Sequence, residues 1–383
     1  MDRRDFIKHS FMATGASACS TLFPIAALGS TTPKRILVLG GTFFLGPAVV
    51  EAAVAEGHTV TLFNRGVTNP DLFPHIEKLR GFRSSNPADQ DLSSLARRHF
   101  DVVVDVWPND PDMVASAAEF LKDRTEHYLY VSSVGAYDTK EFARAGIDES
   151  ARLESWSTAT RTYTHNKAES ERRLHAIRAD RLTIVRPGPI KGYRDDTPDL
   201  LAWLIRAENG GRHIAPGDGS DPVEIVDVRD VARFLLLAID RSLLGTFNLT
   251  GRSMSFREFL DACKSATRSD VEFVWIPQEF LHQHQLETDF ALGTFTGNFP
   301  YWRPTGTNPG LYQISSERAF RAGWRTRAFE ETALDCLISF RSRSETLDWS
   351  DYLSPDKEKQ VLDAWQHRSP FSSGIRGLAS RTN

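Results

Sequence analysis

The sequence predicts an α/β fold, a doubly wound parallel sheet with a smaller C-terminal lobe. Two observations carry that expectation. Continuous apolar runs rich in β-branched residues recur through the first half with helical stretches between them, as in strands buried on both faces. The first run also passes directly into a glycine turn that opens a helix.

Taken in order, Ile36-Leu37-Val38-Leu39 is the first strand, and Gly40-Gly41-Thr42-Phe43-Phe44-Leu45-Gly46 is the turn. A helix over 47–56 follows, with Pro47 in its first turn and Gly57 as its stop. Gly40 permits the tight bend, and Gly46 lets helix and strand approach closely. Backbone N–H groups at the helix start then face a pyrophosphate. The next strand, 59–63, ends in Asn64-Arg65-Gly66. A carboxylate for a ribose diol is missing there, and the Arg65 guanidinium suits a 2′-phosphate, which tilts the cofactor from NAD slightly towards NADP. Further buried strands are expected at 102–106, 127–132 and 182–186, with a helix over 113–122.

The strand at 127–132 delivers Ser132-Ser133 to the carboxyl edge of the sheet, where open α/β folds bind ligands. Downstream, Tyr163-Thr164-His165-Asn166-Lys167 opens a helix, and the spacing of four puts Tyr163 and Lys167 on one face. An ammonium beside a phenol favours the phenolate and lowers a pKa that starts near roughly 10. Such a tyrosine exchanges a proton with a substrate hydroxyl near neutral pH, while Ser133 holds the substrate oxygen. His165 is expected on the surface.

Together these residues resemble the extended and atypical short-chain dehydrogenase/reductase superfamily. The nearest branch is the NAD-dependent epimerase/dehydratase-like one, which includes relatives of nucleotide-sugar epimerases and the chloroplast stem-loop-binding proteins. The likeness continues through Arg186-Pro187-Gly188-Pro189-Ile190, 225–232, 245–251 and Ala322-Gly323-Trp324, nearly the whole mature chain. It implies a Rossmann-like sheet with catalytic Ser133, Tyr163 and Lys167. Gly40, Gly41, Thr42, Phe43, Leu45, Gly46 and Pro187 line the NAD or NADP site, Asn64 and Arg65 meet the adenosine ribose, and Lys167 also holds the nicotinamide ribose. A homodimer is implied by resemblance alone. The chain departs from the commoner pattern in three places. Phe43 replaces a middle glycine, Phe82 stands where many relatives carry aspartate, and Trp107-Pro108 replaces small residues.

The remainder of the chain bounds function more loosely. With 46 basic and 50 acidic residues the net charge is −4, so no basic field points to nucleic acid. Cys19, Cys263 and Cys336 have neither metal-ligand spacing nor a disulfide framework, and no metal is expected. Residues 1–30 resemble a twin-arginine signal peptide: Arg3-Arg4-Asp5-Phe6-Ile7-Lys8, an Ala/Gly/Ser-rich apolar stretch, then Ala27-Leu28-Gly29. This implies the twin-arginine export machinery as a partner and a periplasmic or otherwise exported protein. Lipoprotein anchoring at Cys19 is the minor alternative.

The dinucleotide half is expected over 31–190, with returning elements around 222–250. A substrate lobe follows over 191–353, interleaved with the core, and a docked helix and tail over 354–383. In the lobe, 193–196, 212–213 and 218–221 read as ligand-gripping loops or, with more weight, solvated turns. Asp227 reads as a helix N-cap rather than a clamp. Tyr301-Trp302-Arg303-Pro304 is a stacking wall or, more commonly for aromatics, core.

The functional expectation is an NAD(P)-dependent oxidoreductase or epimerase acting on a secondary alcohol of a sugar or sugar derivative. The alternative is a non-catalytic NAD(P)-binding regulatory or RNA-binding relative. Retention of Ser133, Tyr163 and Lys167 in order argues against it.

Overall fold

The computed structural model describes residues 32–368 apart from 107–108, 158, 160, 287–296, 305, 307 and 344–345. The signal-peptide residues, Cys19 and Trp107-Pro108 therefore lie outside the described residues.

The chain begins β1 (Arg35–Leu39), α1 (Leu45–Ala55), β2 (Thr59–Asn64), β3 (Glu77–Arg80), β4 (Phe100–Asp105), α2 (Pro111–Leu121), β5 (Thr125–Val131), α3 (Tyr163–Arg178) and β6 (Leu182–Pro187). It continues β7 (Ile190–Lys191), α4 (Asp199–Asn209), β8 (Arg212–Pro216), β9 (Pro222–Val223), β10 (Val226–Asp227), α5 (Val228–Asp240) and β11 (Gly245–Leu249). The last elements are β12 (Met254–Ser255), α6 (Phe256–Thr267), β13 (Glu272–Ile276), α7 (Gln278–Gln283), α8 (Glu317–Arg321), α9 (Phe329–Arg343) and α10 (Pro355–Gln366).

Seven strands form the main sheet in the order β11-β6-β5-β4-β1-β2-β3, every neighbouring pair parallel. The reversal of strand order between β1 and β4 opens the crevice in which doubly wound sheets bind ligands. Alternate side chains of β1 enter opposite layers. Ile36 and Val38 pack with α1 and α5, whereas Leu37 and Leu39 pack with α2 and α3. That two-sided burial is why the strands read as unbroken apolar runs.

A second core fills the C-terminal lobe around Trp203, with Phe256, Phe259, Phe299, Tyr301 and Trp302. Tyr301 and Trp302 thus fill the core instead of walling a ligand. Each polar tip is satisfied, Tyr301 Oη by Asp199 at 2.6 Å and Trp302 Nε1 by Asp221 at 2.8 Å. Asp227 caps α5 by accepting from the Arg229 N–H at 2.7 Å. Ser354 caps α10, whose Val361 and Leu362 join the lobe core. Cys263 and Cys336 are buried free thiols.

Candidate active site

The crevice is a cavity of about 810 Å³ on the carboxyl side of the sheet. It is bounded by the glycine turn, the ends of β2, β4, β5 and β6, the start of α3 and the C-terminal lobe. All twelve residues singled out in the sequence for cofactor or catalysis line it.

The turn is shaped by backbone contact. Gly40 and Gly41 have φ of 113° and 91°, a region that favours glycine. A Cβ on Gly46 would stand 2.6 Å from Gly41 Cα, and neither backbone segment can yield to it. The residue before α1, Phe44, also has positive φ at 43° and supplies no side-chain cap. No acidic residue stands in the first turn of α1. Its leading N–H groups and the positive end of its dipole are therefore available to an anion, and the residues present fit a dinucleotide pyrophosphate.

Asn64 departs from expectation. Its Nδ2 donates to Gly40 O at 3.1 Å, and its Oδ1 accepts from Gly66 N at 2.9 Å and Arg80 Nη1 at 2.7 Å. The side chain braces the turn, which leaves the exposed Arg65 as the polar group of that pair facing the cleft. Phe43 and Phe82 line the cavity with 54% and 43% of their surface exposed, flat apolar faces beside the turn.

At the other end, β5 delivers Ser133, which is extended and begins a short 3₁₀ turn at Val134–Ala136. Ser133 Oγ accepts from Gly135 N at 3.0 Å. Gly135 lies between that hydroxyl and the Tyr163 ring, for a Cβ there would meet them at 3.3 and 3.6 Å. Tyr163 is the first residue of α3 and keeps 41% of its surface open to the cleft.

Lys167, one turn on, is buried; its Nζ donates to Val131 O at 2.9 Å and Tyr130 Oη at 3.3 Å. It stands 5.9 Å from the Tyr163 ring centre. Burial depresses the ammonium to about 8, partly opposed by the charges of Asp105 and Glu171. The expected acidification of Tyr163 by Lys167 is not seen: burial raises the phenol, and a hydrogen bond with Ser133 only partly opposes that. The physical reason is the direction of the ammonium, which turns towards a carbonyl and a different phenol. His165 is partly buried rather than on the surface, its Nδ1 2.6 Å from Thr162 Oγ1.

Two groups escaped the sequence reading. Asp105, a lone charge closing the valine run of β4, is fully buried and accepts from Arg83 Nη1 at 2.9 Å and Tyr128 Oη at 2.9 Å. A carboxylate closing a run of three valines was the available signal. The second group comes from the lobe, where Lys191, Asp199, Glu224, Arg303 and Tyr312 line the cavity. Their separation in sequence gives no local pattern that would reveal it.

Away from the cleft, Glu56, His58 and Asp240 converge as three groups with metal-site spacing. The Lys34 amide donates to His58 Nδ1 at 3.2 Å, so Nε2 carries the proton and faces Asp240 at 3.3 Å. A protonated nitrogen cannot ligate, so the trio is not arranged as a metal site.

The model of the NAD dependent epimerase/dehydratase family matches residues 36–249, the sheet from β1 to β11. The chloroplast stem-loop binding protein of 41 kDa b of Arabidopsis thaliana is 28% identical over 69% of this chain and 70% of its own length. The UDP-N-acetylglucosamine 4-epimerase of Methanobrevibacter ruminantium, solved with UDP-N-acetylmuramic acid, superposes with a TM-score of 0.60. It is 16% identical and covers 82% of this chain and 99% of its own. The Bordetella bronchiseptica enzyme WbmH, solved with NAD+, gives 0.58 at 14% identity, covering 82% of this chain and all of its own. A match running from the first strand of the sheet to the last places this chain in the NAD dependent epimerase/dehydratase family.

Proposed function

We propose that the protein is an NAD(P)-dependent epimerase or oxidoreductase acting on a secondary alcohol of a sugar or sugar derivative. One observation carries the reading: the glycine turn and the trio Ser133, Tyr163 and Lys167 line a single cleft at the switch point of the sheet. Relatives in the fold solved with NAD+ and with a UDP-sugar acid support the cofactor and substrate class.

The Tyr163 hydroxyl takes the proton of the substrate alcohol, and the Ser133 hydroxyl holds the same oxygen by a hydrogen bond. The nicotinamide, when bound, supplies the hydride acceptor. Lys167 lines the cleft, where its ammonium would hold the nicotinamide ribose and keeps a positive charge near the reacting phenol. Burial raises the Tyr163 phenol, so it must release its proton to solvent before it serves as the base, and the positive charge of an oxidised nicotinamide, when bound, would favour that release. The exposed Arg65, with Arg80 behind Asn64, favours a 2′-phosphate and hence NADP. The N-terminal Arg3-Arg4 segment supports export by the twin-arginine route and a periplasmic site of action.

The test is Tyr163→Phe in the full chain, read as reduced nicotinamide formed or epimer produced, by absorbance and proton NMR, with a panel of sugars and their derivatives. The reading expects cofactor binding retained and turnover reduced by at least about a hundredfold, the lower end of general acid–base contributions. Full turnover in that variant removes the mechanism. The name of the Arabidopsis relative favours one alternative, a stem-loop RNA ligand. A salt-sensitive complex with a hairpin RNA would support it, and its absence with cofactor bound would leave the enzymatic reading standing.

A further inference from the structure

We propose that the lobe end of this cleft selects an uncharged polyhydroxylated ring over a nucleoside diphosphate, because its one lysine is already neutralised by two carboxylates. The inference rests on the proposed enzymatic reading and narrows its substrate class.

Lys191 Nζ reaches Asp199 Oδ1 at 2.6 Å and Asp195 Oδ2 at 3.1 Å, and it also donates to the Thr197 hydroxyl. All three charged side chains are at least nine-tenths buried. Burial alone would lower the ammonium, and the two carboxylates override that and hold it charged. Three donors are thereby directed at protein oxygens, so a phosphate arriving here finds no ammonium donor left to take. Arg303 is the second cation of this end and donates to Trp302 O at 3.0 Å. The formal charges of Lys191 and Arg303 are matched in number by those of Asp195 and Asp199, before Glu224 is counted.

Glu224 adds no attraction for an anion. It is buried in the cavity wall, where Ile314 N donates to its oxygens at 3.1 and 3.3 Å. Burial pushes its carboxyl well above the usual range, so it is a neutral acid or, ionised, a further negative charge. The start of α4 is no substitute, since the Asp199 carboxylate already accepts from Leu200 N at 2.9 Å. A diphosphate would lose its hydration without gaining the Lys191 ammonium, whose donors are already taken, a cost that buried charge repays only with good partners. A sugar ring meets complementary chemistry instead: carboxyl oxygens of Asp199 and Glu224, the Tyr312 phenol, and the apolar faces of Phe142 and Leu311.

The experiment uses the full chain loaded with cofactor, with loading verified by mass. UDP is titrated calorimetrically, and wild type is expected to give no saturable binding; stoichiometric binding overturns the inference. In Asp195→Asn, with Asp199→Asn as the replacement should the first fail to fold by circular dichroism, UDP affinity is expected to rise at least about tenfold. No rise in a folded variant overturns it. Finally, neutral monosaccharides, methyl glycosides and cyclitols are compared with UDP-sugars for production of reduced nicotinamide or of an epimer seen by proton NMR. A response confined to neutral members supports the inference, and silence of all neutral members overturns it. Turnover of UDP-sugars alone sinks this inference and leaves the enzyme reading intact, whereas failure to load cofactor at all sinks that reading first.

Discussion

The helix that carries Tyr163 and Lys167 is pinned by a buried ion pair, and breaking that pair yields a sharp prediction. Glu171, two turns into α3, is 0% exposed at its side chain and faces Arg186 of β6 at 5%. Arg186 donates through Nη2 at 2.6 Å and Nε at 3.0 Å, and Ser132 Oγ, beside Ser133, donates to the same carboxylate at 2.5 Å. Burial disfavours the guanidinium, and Glu171 overrides that, so the charge persists in the fold. Glu171→Ala removes a partner and leaves the guanidinium uncompensated, a change that costs about 3–5 kcal/mol for pairs of this kind. Replacing both residues by apolar ones of similar volume, Glu171→Leu with Arg186→Met, leaves no orphaned charge and is expected to stay within about 2 kcal/mol of wild type. The assay is urea unfolding of all three proteins with a common m-value. Additive losses in the double variant, or a loss below about 1 kcal/mol in Glu171→Ala, would refute the claim that the pair is a mutually dependent buried unit.

Three further outcomes follow from the geometry. Because burial brings Lys167 to about 8, its ammonium is present below that pH and lost above it, so dinucleotide affinity measured calorimetrically should fall as pH rises through about 8 and stay flat in Lys167→Met. Glu56 is raised to about 7, first by desolvation and then by its hydrogen bond and charge contact with Asp240. A carboxyl raised in the fold contributes stability at low pH that is lost as pH rises through its folded value, so Glu56→Gln should raise the melting temperature at pH 8 and leave it nearly unchanged at pH 4. Gly46→Ala forces a Cβ against Gly41 backbone and should cost about 1–3 kcal/mol in urea unfolding, together with loss of dinucleotide binding.

The sheet was legible in the sequence because its strands are buried on both faces. Five apolar runs, each bounded by polar or glycine residues, mark β1, β2, β4, β5 and β6 within a few residues. β3 was missed: Glu77-Lys78-Leu79-Arg80 is a polar edge strand whose pairing to β2 leaves no apolar signature. The glycine turn and the Tyr163–Lys167 spacing were readable because both are local. Electrostatics was not. Nothing in the spacing of Tyr163 and Lys167 says that Val131 O and Tyr130 Oη capture the ammonium, since those partners come from a strand more than thirty residues earlier. Lys191, Asp199, Glu224 and Arg303 converge from separate loops and elements, and only the folded chain brings them together.

The central claim is that the glycine bend and the start of α1 cradle a dinucleotide. Native mass spectrometry of the folded chain, reconstituted separately with NAD+ and NADP+, measures this most directly. The account predicts one dinucleotide per chain, with NADP+ retained at higher collision energy than NAD+, and none on Gly46→Ala. Wild-type protein that takes up neither cofactor would contradict it.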